Sequence, residues 1–219
     1  MEITERTVDA ITILDLRGKL TSGEGAQLLK DKSESLVFQG RNRVIVNLAA
    51  VPYIDSGGLG QLVACYTTLA KAGGRLKLLN VSTKNHDLLS ITKLVAVFDT
   101  FDTEREAIES YAATTAHELT HWTAHSTRLD REFSGTRFGD TGYAREELVA
   151  ELGSAFLSAD LGITPEPRED HSAYLAHWIA VLKGDKRAIL AAAAHAQKAV
   201  DFLHGLQPAA MPVPAEATA

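Results

Sequence analysis

Over the first hundred residues, apolar positions come in short runs whose period switches between that of a strand and that of a helix. Ile3 to Val8 and Ile11 to Leu16 are β-prone stretches on either side of Asp9-Ala10, which predicts two strands joined by a tight turn. Arg43-Val-Ile-Val-Asn-Leu48 has the continuous apolar centre of a strand buried on both faces. Between them, helical spacing at Ala26, Leu28, Leu29 and Ser33, with Leu36 and Val37 beyond, predicts a helix over Ser22 to Val37 with Ser22 as its N-cap. After Asp55-Ser56, Leu59, Leu62, Val63, Tyr66, Leu69 and Ala70 recur at helix spacing until Gly73-Gly74 ends the run. Arg75 to Leu79 then reads as a strand, Lys84 to Lys93 as a helix and Val95 to Phe98 as a last short strand. The order β-β-α-β-α-β-α-β predicts an α/β sheet with helices packed on it.

From Thr103 onward the pattern turns helical and stays so. Thr103-Glu-Arg-Glu106 has the form of a capping box, in which the hydroxyl and the carboxylate each satisfy an orphan backbone donor. Thr103 to His125 reads as one continuous helix. Tyr143 to Leu161 is the next, closed by Gly162 and the Pro165-Glu-Pro167 break. Asp170 caps a helix to Lys183, Gly184 stops it, and Asp185 caps another that reaches His204-Gly205. Gln207 to Ala219 is rich in Pro and Ala without an apolar period, and is expected to be disordered.

The chain has 219 residues, enough for one large domain or two small ones. Seven of its eight histidines and both tryptophans, Trp122 and Trp178, lie beyond residue 110, so two units of different chemistry are the better reading. A formal charge of −6 and the lack of a basic cluster argue against nucleic acid or an anionic membrane as partner. Cys65 is the single cysteine, which excludes an internal disulfide and favours a reducing compartment. The acidic start Met-Glu-Ile-Thr-Glu has no apolar region behind it, and no stretch approaches about 18 apolar residues. A soluble cytoplasmic protein is expected.

His117-Glu118-Leu119-Thr120-His121 is His-Glu-x-x-His. On a helix, residues four apart stack on one face, so two imidazoles can share a Zn²⁺ while Glu118 lies alongside as a candidate general base. By itself the pentapeptide is a modest signal, the alternative being a solvated helix with two stray histidines. A third ligand is available 26 residues after His121, where Tyr143-Ala-Arg-Glu-Glu-Leu-Val-Ala-Glu151 is dense in acids. Glu147 and Glu151 stand one turn apart, so one can bind metal while the other orients a ligating imidazole; Glu147 is preferred as ligand, and the reverse assignment stays open. Glu146 is rotated about 100° from Glu147 and is expected to face solvent. His125 continues the i, i+4 series one turn further, either beside the ligands or on the surface.

These residues, with Arg128-Leu-Asp-Arg131, Arg137-Phe-Gly139 and Asp170-His-Ser-Ala-Tyr-Leu-Ala-His-Trp178, resemble the zincin-like metallopeptidase domain at the C-terminus of ArdC-type antirestriction proteins. The resemblance spans about residues 110 to 205. It implies one zinc per chain on His117, His121 and Glu147, Glu118 as general base, and a peptide or protein substrate. It also aligns His171 and Tyr174 with positions suited to stabilising an oxyanion, although a helix start and helix packing explain those two equally well. Trp122 and Trp178 are most simply core aromatics. Members of that family usually carry a strand and a Pro-rich segment before the metal helix; here the first half runs directly into Ala116-His117.

The first half has its own signature, Val51-Pro-Tyr-Ile-Asp-Ser-Gly-Gly-Leu-Gly60, with Asp55-Ser56 at a strand-to-helix turn. Ser56 is expected at or near the N-cap, where backbone N–H groups and the helix dipole favour a phosphoryl group. Together with Gly73-Gly-Arg-Leu-Lys-Leu-Leu-Asn80 and His86 to Leu94, the stretch from Ile3 to Tyr111 resembles a STAS domain of the bacterial anti-sigma-factor antagonist family. That resemblance implies Ser56 as acceptor for a serine protein kinase that is also the partner, with Asp55, Ser56 and Gly57 in the contact. Gly57 stands where many members carry Ser, Thr or Ala. The expected organisation is a STAS unit over 1–110, a mainly α-helical zincin-like unit over 111–206 and a tail over 207–219, with one helix shared at the seam. Three functions compete: a phospho-switched binding module, a zinc hydrolase, and a fusion in which only the first half works.

Overall fold

The computed structural model describes residues 1–131, 133, 141–163 and 187–207. The contacts divide them into two compact units, one running from Met1 to Ala112 and one containing Ala113–Ile163 and the last described helix.

The first unit is a five-stranded sheet, β1 (Glu2–Val8), β2 (Ile11–Arg17), β3 (Arg43–Ala50), β4 (Arg75–Leu79) and β5 (Thr100–Phe101), whose spatial order follows the chain. β1 and β2 pair antiparallel around Asp9, which takes a positive φ of 52° at the turn, and β2 to β5 pair in parallel. Parallel neighbours need crossovers. α1 (Glu24–Phe38), α2 (Ser56–Lys71) and α3 (Thr83–Ile91) supply them. Leu14, Leu16, Val44, Val46, Leu76 and Leu78 of the sheet meet Leu29, Leu36, Leu62, Leu69 and Leu89 of these helices in one core. Ile11, Ile13, Ile45 and Leu79 form a second cluster with Ala107 and Tyr111 of α4 (Glu104–Trp122). Strands covered on both faces need apolar residues at successive positions, which is why β2 and β3 lack a clean alternation.

The capping box forms as expected: Thr103 N donates to Glu106 at 3.1 Å and Glu106 N to the Thr103 hydroxyl at 3.3 Å. Three local expectations need correction. Ser22 does not cap α1: its hydroxyl and its backbone N–H both donate to the Asp55 carboxylate, at 3.4 and 3.1 Å, and Gly23, at φ 98°, becomes the N-cap without a side-chain bond. Val95 to Phe98 is not a strand. Lys93 adopts a left-handed conformation (φ 61°), Leu94–Ala96 forms a 3₁₀ turn, and pairing with β4 is delayed to Thr100–Phe101. The shared helix ends at Trp122, three residues before the expected His125.

A buried polar cluster ties α4 to the sheet. Lys77 of β4 has no exposed surface; its ammonium hydrogen-bonds the Ser110 hydroxyl and lies 4.3 Å from the centroid of the Tyr111 ring. The Tyr111 hydroxyl accepts from Val44 N at 3.0 Å and lies 2.9 and 2.7 Å from the carbonyl oxygens of Val44 and Arg75. Burial pushes its pKa up, so it stays a neutral donor.

In the second unit, α5 (Thr141–Asp160) packs with the last described helix, here α6 (Ala188–Gly205). Leu148, Val149, Ala192 and Ala196 form one cluster between them, and Ala116 of α4 joins Leu157, Val200 and Leu203 in another. Trp122 is not a core aromatic: it is 44% exposed, with the Arg128 guanidinium 3.9 Å above its ring. No described helix is long and apolar enough to cross a membrane. The helix expected at Asp170–Lys183, Trp178 and the 208–219 part of the tail lie outside the described residues.

Replacing Tyr111 with Phe leaves Val44 N, buried under α4, without its acceptor. Urea unfolding of the purified chain should show a loss of about 1–3 kcal/mol.

Candidate metal centre and phospho-acceptor turn

The metal motif lies on the last turns of α4, where i, i+4 spacing stacks the two imidazoles. Their ring centroids are 4.7 Å apart and their Nε2 atoms 3.1 Å apart. Each Nε2 lies 3.6 Å from a different oxygen of Glu147 on α5. His117, His121 and Glu147 are the group able to hold a metal ion among the described residues, with one ligand atom from each lying within 4.8 Å of the others. Three donors on a tetrahedral zinc with bonds near 2.1 Å stand about 3.4 Å from one another. The observed separations match that size, and two neutral nitrogens with one carboxylate form a donor set that zinc accepts.

The other ring nitrogens are also taken. His117 Nδ1 lies 3.4 Å from Glu151, and His121 Nδ1 lies 3.2 Å from Glu146. Glu151 thus stands beside His117, one turn from Glu147. Glu146 does not face solvent as the 100° rotation suggested. α5 presents an arc of carboxylates wide enough to reach both histidines, and the guanidinium of Arg131 holds Glu146 inward at 2.7 and 3.0 Å. The Tyr143 hydroxyl hydrogen-bonds Glu147. Arg131, Glu146 and Tyr143 were missed as site residues because their role depends on how the second helix and the following chain fold back onto α4. Arg131 and Tyr143 were visible only as members of longer motifs.

This enclosure sets the charges. Burial drives the His117 pKa down, helped by the neighbouring His121 and opposed by Glu151 and Glu147. Burial acts on His121 in the same direction, but hydrogen bonds to Glu146 and Glu147 outweigh it and push that pKa up to about 9. The carboxylates of Glu146 and Glu147 fall below the ordinary range, since hydrogen bonds from His121, and from Arg131 and Tyr143 respectively, overcome their desolvation. Without metal, two rings whose Nε2 atoms lie 3.1 Å apart are thus pushed in opposite directions, His121 up and His117 down. Glu118 is exposed on α4 beside His117. His125 is not brought to the cluster: the helix has ended, and its Nδ1 turns to Thr127 at 2.9 Å. His171 and Tyr174 lie outside the described residues.

Close helix contact makes the cluster reachable. A Cβ on Gly153 would stand 2.5 Å from the hydroxyl of buried Thr120, and the Ser154 hydroxyl donates to Ala113 O at 2.8 Å.

In the first unit, Asp55 rather than Ser56 is the N-cap of α2, accepting from Gly58 N at 2.8 Å, and Ser56 is the exposed first helical residue. The carboxylate wins because it also receives Ser22 N; these bonds, led by Gly58, hold its pKa below the usual range. Gly57 and Gly58 lie against the Leu20–Ser22 backbone. A Cβ at Gly57 would come 2.5 Å from Ser22 Cβ, and one at Gly58 would come 2.2 Å from Leu20 O. Gly57 therefore fits a contact that Ser, Thr or Ala would displace.

A STAS family model matches residues 2–107, and a zincin-like metallopeptidase model matches 94–195. The chain is 45% identical over 103 residues to protein y4eC of Sinorhizobium fredii, covering 47% of this chain and 33% of that protein. It is 39% identical over 74 residues to the anti-sigma-B factor antagonist of Bacillus subtilis, covering 34% and 67%. Among solved structures, the Mn(II)-bound antirestriction protein ArdC of plasmid R388 is similar at 48% identity, covering 45% of this chain and 36% of that one, with a TM-score of 0.39. The chain thus spans about a third of the length of the y4eC and ArdC proteins. It belongs to the STAS family of anti-sigma-factor antagonists through its first unit, and the region after it is similar to zincin-like metallopeptidases.

Gly153→Ala tests the helix approach. Propensity alone favours Ala in a helix interior by about 1 kcal/mol, but overpacking against Thr120 costs about 1–3 kcal/mol. A net loss of thermal stability is expected, accompanied by weaker zinc uptake; unchanged uptake would show that the carboxylates reach the histidines without this contact.

Proposed function

We propose that this chain joins a phospho-regulated binding module, residues 1–110, to a hydrolytic domain, residues 111–206, that holds one zinc ion on His117, His121 and Glu147. The observation that carries the reading is the convergence of both Nε2 atoms on the Glu147 carboxylate while each Nδ1 faces a further carboxylate. When bound, zinc supplies a Lewis acid that polarises a carbonyl and lowers the pKa of water. Glu147 contributes the negative charge of the donor set, and Glu151 fixes the ring of His117. Glu118 takes the proton of the attacking water and returns it to the leaving amine of a peptide or protein substrate. His171 and Tyr174 are assigned to the developing oxyanion. Work in the cytoplasm, with neither nucleic acid nor membrane as partner, fits the acidic balance of the chain.

A specific feature favours a second reading in which the site binds zinc without cleaving. α4 begins at Glu104, so the metal motif is preceded by helix instead of the strand on which an extended substrate would lie.

One zinc per chain is expected after dialysis, removable by a chelator and abolished in His121→Ala. Glu118→Gln should retain the metal and lose any hydrolysis, because an amide fills the same space without accepting the proton. Stoichiometric zinc in both His117→Ala and Glu147→Ala would overturn the ligand assignment. A zinc-loaded wild type that cleaves no protein offered to it would favour the second reading.

For the first unit, the proposed partner is an anti-sigma factor or related serine protein kinase that phosphorylates Ser56. The phosphoryl group adds about −1.5 to −2 charges beside Asp55, and a surface matched to a neutral hydroxyl is then repelled. Ser56→Ala should bind the kinase constitutively and Ser56→Asp weakly, read by pull-down and by mass spectrometry of the Asp55-Ser56 peptide. Equal binding by all three forms, with no phosphate on Ser56, would reduce it to a surface residue of the helix start.

A further inference from the structure

Arg131 is a buried arginine in the chain segment that follows the metal helix. Its side chain is 3% exposed. The guanidinium donates to both oxygens of Glu146 (2.7 and 3.0 Å), to the Thr123 hydroxyl (2.8 Å) and to the backbone carbonyl of Thr120 (2.8 Å). The segment reaches this place by folding back on the end of α4: Leu129 N donates to Thr123 O, Asp130 N to His125 O and Arg131 N to Ala124 O. Arg131 therefore touches the last turn of the helix that carries His117 and His121, and the carboxylate on α5 that meets the Nδ1 of His121.

We infer that Arg131 is a positioning residue for the metal centre: by forking onto Glu146 it holds that carboxylate on His121 Nδ1, so that Nδ1 keeps its proton when a metal is bound and Nε2 is the nitrogen aimed at the point shared with His117 and Glu147. The inference rests on the zinc reading above and extends it to a residue that touches neither metal nor substrate.

The geometry favours this assignment for two reasons. A glutamate has three rotatable side-chain bonds, and Glu146 would otherwise turn toward water; a planar donor fork meeting both of its oxygens removes that freedom as a single ammonium cannot. The same guanidinium also grips Thr120 O, one residue before His121, so it references the carboxylate to the backbone that carries the ring. On the other ring, Glu151 stands on α5 one turn from Glu147 and lies 3.4 Å from His117 Nδ1.

The test compares wild type with Arg131→Met, Arg131→Lys, Glu146→Gln and Glu147→Ala. It measures zinc affinity by competition with a chromophoric chelator, helical content by circular dichroism, and exchange of the His121 Nδ1 proton by NMR of the ¹⁵N-labelled, zinc-loaded protein. Loss of a group that orients a metal-bound histidine typically weakens affinity about 10–100-fold. That loss is expected in Arg131→Met and, to a smaller extent, in Glu146→Gln, which keeps the side-chain shape if the arginine variant fails to fold. Arg131→Lys should recover only part of the affinity. Nδ1 proton exchange should speed up at least tenfold in Arg131→Met and Glu146→Gln at unchanged helical content. If both bind zinc within twofold of wild type and protect that proton equally, Arg131 is a structural staple and the proposal is overturned. If wild type takes up no zinc, or Glu147→Ala binds as tightly as wild type, the metal reading itself has failed, and the positioning role falls with it.

Discussion

The chemistry of the second unit depends on how closely α5 can approach α4. A glutamate reaches about one side-chain length from its helix, so Glu146, Glu147 and Glu151 meet the histidines only if the two backbones come nearer than large side chains would allow. Gly153 against Thr120, and Ser154 bonded to Ala113 O, provide that approach. A glycine within a helix is unfavourable by about 1 kcal/mol relative to alanine, and its presence here follows from the contact. The same requirement explains the Thr120 side chain, which bonds its own helix at Ala116 O and leaves no polar atom to hold the neighbour away.

Once the helices are close, charge becomes the governing constraint. Three carboxylates face one guanidinium and two imidazoles in a largely enclosed place, and a lone buried ion is costly unless paired. In the metal-free chain the His121 pKa rises to about 9 although burial opposes it, while burial pushes that of His117 down. One cationic imidazole and Arg131 still leave an excess of negative charge. A divalent cation that replaces the His121 proton would bring the group to balance, so the electrostatics of the enclosure and the spacing of its donor atoms point to the same occupant.

The parts of this arrangement legible in the sequence are those set by local spacing. His117 and His121 share a face because they are four residues apart on one helix, and Glu147 and Glu151 are related in the same way, so each pair's common face could be read before any fold was known. Glu146 was misread because a helical wheel gives angles around one helix and says nothing of how wide a second helix's partners are. Ser22 was misread for a similar reason: its N–H goes to Asp55, 33 residues away, and no local cap rule contains that competitor. The succession of strands and helices in the STAS unit was legible as far as α3 because each apolar run is short and bounded by turn residues. Lys77 was not legible as a core residue, since its burial depends on Ser110 and Tyr111 arriving from α4.

In the first unit the cap of α2 is separate from Ser56. If Ser56 were the N-cap, its hydroxyl would bond the first turn of α2, and a phosphoryl group there would have to undo that bond before changing anything on the surface. Asp55 does the capping instead, and its carboxylate is tied to Gly58 N and to Ser22 N, on a chain segment held beside it by Gly57 and Gly58. The helix start is thus secured without the Ser56 hydroxyl. A charge proposed to be added at Ser56 would sit next to a carboxylate tied to two backbone N–H groups, and would change what the surface repels while leaving the helix start intact.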